Sequence, residues 1–302
     1  MGRERSVTLV LTAAAIVLLG GLAAPLAPRG TASSTDLGAG AAPSVGAPSA
    51  NVDPMPAPLP FSTGMAASVA LGVPNLTGAY RSPPTNASDF TALPEYAITD
   101  PAGNVWVTDW GASRVLEFRA PYRTGEAASV VLGQSTFTGN RSASTAVNLS
   151  SPAGLAMDAS GDLWVADWGN QRVLEYVPPF RSGMAASLVL GQPNFTARTP
   201  GENASAFDDP VGLAFDPAGD LWVADRGNNR VLEFVPPFRS GMAAAAVLGQ
   251  SGFGGTAAGT GPQNLSFPID VAAAGSTLWV ADELNDRVVG FVAPWTTGES
   301  AT

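Results

Sequence analysis

The chain contains no histidine, no cysteine and no lysine among its 302 residues. Without cysteine there is no disulfide, no thiolate nucleophile and no zinc–thiolate site. Without histidine the commonest general base and metal ligand is missing. Without lysine there is no Schiff base and no Walker-type phosphate lysine. Catalysis, if present, would have to run on Asp, Glu, Arg, Ser, Thr and Tyr. All 15 basic residues are arginine and face 25 acidic ones, a formal charge of −10. Residues 33–302 alone carry 12 Arg against 24 acids. A surface of that sign repels phosphate backbones and no Arg cluster offsets it locally, so nucleic acid is not an expected partner. Long apolar runs are also scarce. The exception is the uncharged stretch of 18 residues from Val7 to Ala24.

That stretch follows an Arg-containing start (Gly2 to Arg5) and precedes the small residues Gly30 and Ala32. Residues 1–32 therefore read as an export segment, either cleaved as a signal peptide or retained as an N-terminal membrane anchor. The body is then expected outside the cytoplasmic membrane, secreted or anchored, with membrane contact only through this segment. Residues 33–58 are mainly Ala, Gly, Pro and Ser with almost no large apolar side chain. Such a stretch cannot bury enough surface to offset its ordering entropy and is expected to be a disordered linker.

Residues 59–302 are dominated by repetition. VWVTDWGASRVLEF (from Val105), LWVADWGNQRVLEY (from Leu163), LWVADRGNNRVLEF (from Leu221) and LWVADELNDRVVGF (from Leu278) start 58, 58 and 57 residues apart. A fixed period means one supersecondary unit buried against its own copies. In the third copy VGLAFD, LWVAD, RVLEFV and AAAAVLGQ are strand-length apolar runs separated by PAGD, RGNN and PPFRSGM, which carry turn chemistry. Four short strands per unit make a meander. Runs such as LWVAD are apolar on both faces, so the sheets must stack face to face, as propeller blades do. The spacing predicts blades at about 93–134, 152–192, 210–250 and 268–292. The last unit stops before its fourth strand, while the body opens with PLPFSTGMAASVALG (Pro58–Gly72). The fold class expected is all-β: four blades of four antiparallel strands, with an N-terminal strand at 66–72 completing the last blade. An open arc, or two chains forming a larger ring, are the alternatives.

The block D-x-G-N-x-R-V-L-x-F after an apolar-W-V-A strand resembles the NHL repeat, best at Asp167–Arg172 and Asp225–Arg230. With the PPFRSGM and VLGQ segments, the unit is similar to the long-period repeats of secreted prokaryotic NHL proteins over roughly residues 58–300. The first copy departs at Ala112-Ser113, and the last at Glu283-Leu284 and Gly290. The resemblance implies a propeller but little about activity, because propellers carry unrelated functions on one frame. NHL-like propellers include RNA binders, protein-interaction modules, and metal-dependent lyases and lactonases. This chain lacks the basic surface of the first and the His ligands typical of the lyases.

Asp109, Asp167, Asp225 and Asp282 end the second strand of each unit, where a carboxylate can accept from turn N–H groups. Arg114, Arg172, Arg230 and Arg287 open the third strand and can pair with those carboxylates or with carbonyls of a neighbouring blade. Identical recurrence makes them structural repeat residues, although four Asp in a ring could also hold a cation. Trp106, Trp164, Trp222 and Trp279 sit mid-strand and are expected in the core, each needing a partner for its indole N–H. Glu117, Glu175 and Glu233 are expected to face solvent or inter-blade ion pairs. The copies disagree directly after the turn Asp, at Trp110, Trp168, Arg226 and Glu283. Strand alternation puts these four on one rim with loops 75–92, 135–151, 193–209 and 251–267. Exposed aromatics beside polar groups suit stacking on sugars or on a partner's apolar side chains; alternatively the loops fold over and bury both Trp.

Asn75, Asn86, Asn140, Asn148, Asn194, Asn203 and Asn264 form N-x-S/T sequons, candidate glycan acceptors in an exported chain. No catalytic residue, metal ligand or cofactor is assigned. The reading favoured is a non-enzymatic binding scaffold for a protein or carbohydrate ligand at or beyond the cell surface. The alternative is a metal-assisted hydrolase, lactonase or lyase gripping a cation with carboxylates in the propeller channel, for which Glu202, Asp208 and Asp209 are candidates. A structural envelope component is a third reading.

Overall fold

A computed structural model describes residues 66–75, 85–90 and 93–301. Residues 1–58, with the export segment and linker, lie outside the described residues. The remainder forms four antiparallel sheets in chain order. The first contains β1 (Pro94–Thr99), β2 (Val105–Asp109), β3 (Arg114–Phe118) and β4 (Val130–Leu132). The second contains β5 (Pro152–Met157), β6 (Leu163–Asp167), β7 (Arg172–Tyr176) and β8 (Leu188–Leu190). The third contains β9 (Pro210–Phe215), β10 (Leu221–Asp225), β11 (Arg230–Phe234) and β12 (Ala246–Leu248). The last has only β13 (Pro268–Ala274), β14 (Thr277–Asp282) and β15 (Arg287–Val292). The fold is an all-β propeller meander, each strand pairing with the next.

Local chemistry sets the turns. The second and third strands are joined by one turn of 3-10 helix that ends on a left-handed residue. These residues are Ser113, Gln171, Asn229 and Asp286, with φ between 49° and 57°. Polar side chains that bond locally tolerate this region best. The strands β2, β6 and β10 bury both faces because each is covered by the next blade. Trp106, Trp164 and Trp222 are fully buried. Each meets, edge to face, a ring from the following blade's third connection: Phe180 at 4.7 Å, Phe238 at 4.8 Å and Trp295 at 5.1 Å. Their indole N–H groups donate to Asp100, Asp158 and Asp216 in their own first turns, at 3.2, 3.4 and 3.0 Å.

The inner strands β5, β9 and β13 run so close that side chains are excluded between them. A Cβ at Gly154 would sit 2.1 Å from the Val211 carbonyl oxygen, and one at Gly212 would sit 2.5 Å from the Asp270 Cα. At the same position the outer two blades carry Tyr96 and Asp270. The Tyr96 hydroxyl donates to the Ile269 carbonyl at 3.0 Å, so the first and last blades meet at the centre.

At the periphery the structure differs from the sequence expectation. Residues 66–72 do not add a strand to the last blade, whose sheet has three. Their backbone is held by the first blade instead: the Ala70 carbonyl accepts from Gly125 N at 3.2 Å, and Ala70 N donates to Thr124 Oγ1 at 3.1 Å. The equivalent bonds, Gly183 N to Val131 O and Val131 N to Ser182 Oγ, tie β4 to the next blade. The segment thus stands against the first blade as a preceding blade's outer strand would. Trp279, expected in the core, is 46% exposed, and Val288 and Val292 beside it are exposed on β15. Glu117 and Glu233, expected at solvent or in inter-blade pairs, are buried inside their own blades.

Candidate functional site

The four turn Asp and four strand Arg form one lattice. Asp167, Asp225 and Asp282 are fully buried; one oxygen accepts a return-loop N–H from Ser150, Asp208 or Ser266 at 2.6–2.7 Å. The other accepts Arg172, Arg230 or Arg287 Nε, each at 2.7 Å. Asp109 and Arg114 make the same pair at 2.8 Å. Asn170, Asn228 and Asn285 add a second donor to that oxygen, where the first unit has Ala112. The guanidinium ends of Arg114, Arg172 and Arg230 donate to loop carbonyls on both sides of the blade, whereas that of Arg287 donates to the preceding loop at Thr260, Gly261 and Asn264. Arg172 reaches Thr145 and Asn148 in the preceding loop and Phe195 in the following one. With both oxygens of each carboxylate engaged by protein donors, the lattice organises the loops and leaves no free ligand set for a cation at Asp167, Asp225 or Asp282.

The copies' disagreement positions lie over this lattice. Trp110 and Trp168 are half-buried, with ring centroids 6.0 Å apart and planes tilted by 38°. The Arg226 guanidinium sits 5.9 Å from the centroid of Trp168 and 5.0 Å from that of Phe267. It also pairs with Asp209 at 3.4 Å. Asp209 and Phe267 reach Arg226 from left-handed backbone, at φ 58° and 57°. Two buried donors in this row, Trp168 Nε1 and Arg226 Nε, have no hydrogen-bond partner among the described residues. An unmet buried donor costs about 1–3 kcal/mol, so the row favours any acceptor that can reach it. Glu283 is exposed and stands apart from the stacked groups.

Beneath the row, at the centre, lie Glu95, Tyr96 and Asp270. Burial raises the Glu95 carboxyl above its ordinary range, with Arg226 partly countering it. Burial likewise pushes Asp270 up to about 6. Burial raises the Tyr96 phenol as well, helped by Asp270 and Glu95. Burial and then the nearby Asp209 and Glu202 raise the Asp208 carboxyl, but among the described residues the oxygens of these three do not gather into one ligand set. The Asp209 carboxylate is spent on Arg226 and on Gln171, 3.3 Å away. The acidic groups whose oxygens do gather, among the described residues, join the first turn of the second or third blade to a glutamate on its third strand.

The sequence profile of the NHL repeat matches residues 149–176 and 207–234, the first three strands of the second and third blades. Two NHL repeats are thus matched in the chain, one in each of these blades. No curated protein sequence matches it. Its fold is similar to a periplasmic gluconolactonase from Pseudomonas aeruginosa at 16% identity and a TM-score of 0.46, over 69% of this chain and 52% of that one. A streptogramin B lyase is similar at 14% identity and a TM-score of 0.42, over 70% and 54%. An auxiliary nutrient binding protein from Bacteroides thetaiotaomicron is similar at 15% identity and a TM-score of 0.44, over 64% and 46%. The chain spans about half the length of each.

The central residues Tyr96 and Asp270 were not singled out by sequence reasoning. Their signal lies in the alignment Pro-Glu-Tyr, Pro-Ala-Gly, Pro-Val-Gly, Pro-Ile-Asp, where the third position breaks the repeat as openly as the rim does. Among the sequons, Asn75, Asn140, Asn194 and Asn203 are exposed, while Asn86, Asn148 and Asn264 are half-buried. The Asn86 side chain is held by Ser88 N and Asp89 within its own loop.

Proposed function

We propose that this NHL-repeat propeller is a non-enzymatic binding module, exported by its N-terminal segment, whose ligand surface is the Trp110–Trp168–Arg226 row. The observation that carries the reading is the contiguous stack of two tryptophans and an arginine with two unmet donors beneath it. A ligand with a flat apolar face and outward oxygen acceptors suits it, which is the chemistry of a sugar ring. Export is supported by the uncharged run Val7–Ala24, and it places the surface where glycans are available. Among the described residues no helix is long and apolar enough to cross a membrane.

The test is a glycan array with the purified chain, followed by calorimetry on any sugar retained. Trp110→Ala and Trp168→Ala should each weaken binding by about 2 kcal/mol, roughly thirtyfold. Thermal unfolding of the same variants checks that the fold survives. Binding unchanged in the folded double variant would overturn the assignment.

A further inference from the structure

The end of the blades opposite the tryptophan row carries a second cluster. In the third blade the first turn, Asp216 to Asp220, lies beside Glu233 of β11, which faces Trp222 across the ladder. Carboxylate oxygens of Asp216, Asp220 and Glu233 all lie within 4.8 Å of one another. Asp216 is fixed by the turn: its Oδ1 accepts from Ala218 N at 2.9 Å and Asp220 N at 3.0 Å, and its Oδ2 accepts from Trp222 Nε1. The Asp220 carboxylate is half-buried and borders solvent.

The repeat supplies an internal comparison. In the first blade the same place holds Asp100, Asn104 and Glu117. There Arg119 Nε donates to Glu117 at 3.1 Å, Ser129 Oγ at 2.6 Å and Asn104 Nδ2 at 3.5 Å. In the second blade Asp162 replaces the amide and Val177 the arginine, and Glu175 keeps only the Ser187 hydroxyl, at 2.6 Å. In the third blade Asp220, Val235 and Ala245 occupy those three positions, so every such donor is gone. Glu233 is nonetheless only 9% exposed. Among the described residues its carboxylate receives no hydrogen bond, and it points at two further carboxylates. A buried, unpartnered charge facing like charges is costly unless something neutralises it. In the fourth blade the place is vacated altogether: Gly290 stands opposite Trp279.

We propose that Asp216, Asp220 and Glu233 bind a divalent cation of the calcium class. The donor set is all carboxylate oxygen, with no nitrogen or sulfur, which selects hard cations. Carboxylate oxygens within 4.8 Å of one another can share one such ion, and the irregular, flexible coordination of calcium suits an open turn better than the strict octahedron of magnesium. The solvent border at Asp220 admits the waters that complete six to eight ligands. Three carboxylates on an open turn place the affinity with extracellular calcium modules, about 0.1–1 mM. The bound ion would clamp the β9–β10 turn to β11.

Terbium luminescence on the full chain tests this, because a lanthanide at Asp216 is within energy-transfer reach of the buried Trp222. Excited through tryptophan, the chain should show saturable terbium emission that calcium displaces at about 0.1–1 mM. Glu233→Gln should lower the apparent affinity at least tenfold, Asp220→Asn should do the same, and Glu175→Gln in the second blade should change it less. Far-UV circular dichroism confirms that each variant is folded. Absent emission, emission that about 10 mM calcium fails to displace, or a folded Glu233→Gln and Asp220→Asn pair that bind as the parent does would each overturn the proposal, leaving a protonated Glu233 as the neutraliser.

Discussion

Replacing Arg230 with methionine isolates what the arginine lattice contributes. Arg230 is fully buried, and its Nε lies 2.7 Å from Asp225 Oδ2. Its other nitrogens donate to the carbonyls of Glu202 at 2.6 Å, Asn203 at 3.1 Å and Ala206 at 3.0 Å, and to Phe253. Methionine keeps most of the stem's volume but strands a buried carboxylate and four carbonyls. Breaking a buried pair from one side costs about 3–5 kcal/mol. For a domain of this size that corresponds to a fall in Tm of roughly 6–20 °C. Arg287→Met is the matched control. It removes the same contact to Asp282, but the Arg287 side chain is 28% exposed, so water can replace part of what is lost. Its penalty should be less than half as large. Thermal and urea unfolding at pH 7 measure both. The reasoning fails if Arg230→Met stays within about 1 kcal/mol of the parent, or if Arg287→Met costs as much.

Gly154→Ala should destabilise by about 1–3 kcal/mol or more, because its Cβ would fall 2.1 Å from the backbone oxygen of Val211, which cannot rotate away; denaturant midpoints check it, with Gly161→Ala in an open turn as the comparison for left-handed strain alone. The Glu233 carboxyl is pushed up to about 7, first by burial and then by Asp220 and Asp216, the charged groups facing it; its ladder partner on β12 is the uncharged Ala246. The folded state then holds a proton that the unfolded chain releases, so this group's contribution falls as pH rises from about 4.5 through 7. In a chelator Glu233→Gln should therefore be the more stable variant at pH 8, by about 1–2 kcal/mol after allowance for solvent screening, and the advantage should vanish at pH 4; unfolding curves at the two pH values decide.

The sequence made the blades legible because each strand recurs with its turn: Leu221–Asp225 and Arg230–Phe234 were placed by period and by Pro-Ala-Gly-Asp and Arg-Gly-Asn-Asn between them. The turn Asp and strand Arg were legible as partners for the same reason. What stayed hidden depends on neighbours in space. Nothing local says that Phe180 covers Trp106 whereas Trp279 stands half-exposed. Nor does composition show that Ala70 bonds to Gly125 instead of extending the last sheet. The rim row was predictable from Trp110, Trp168 and Arg226. Glu283 was grouped with them by alignment, yet it lies in solvent, because its loop partner is Ser266 backbone to Leu284 and not a side-chain stack. Tyr96 and Asp270 escaped because their significance rests on how narrow the centre is.

The arginine clasp has a consequence for modularity. Since Arg172 fastens one loop upstream of its sheet and another downstream, the protein is periodic in sequence but not divisible in stability. Excising a single module would remove an anchor from both flanking stretches at once. Shortening or lengthening the array should therefore succeed only at cuts that respect those shared anchors.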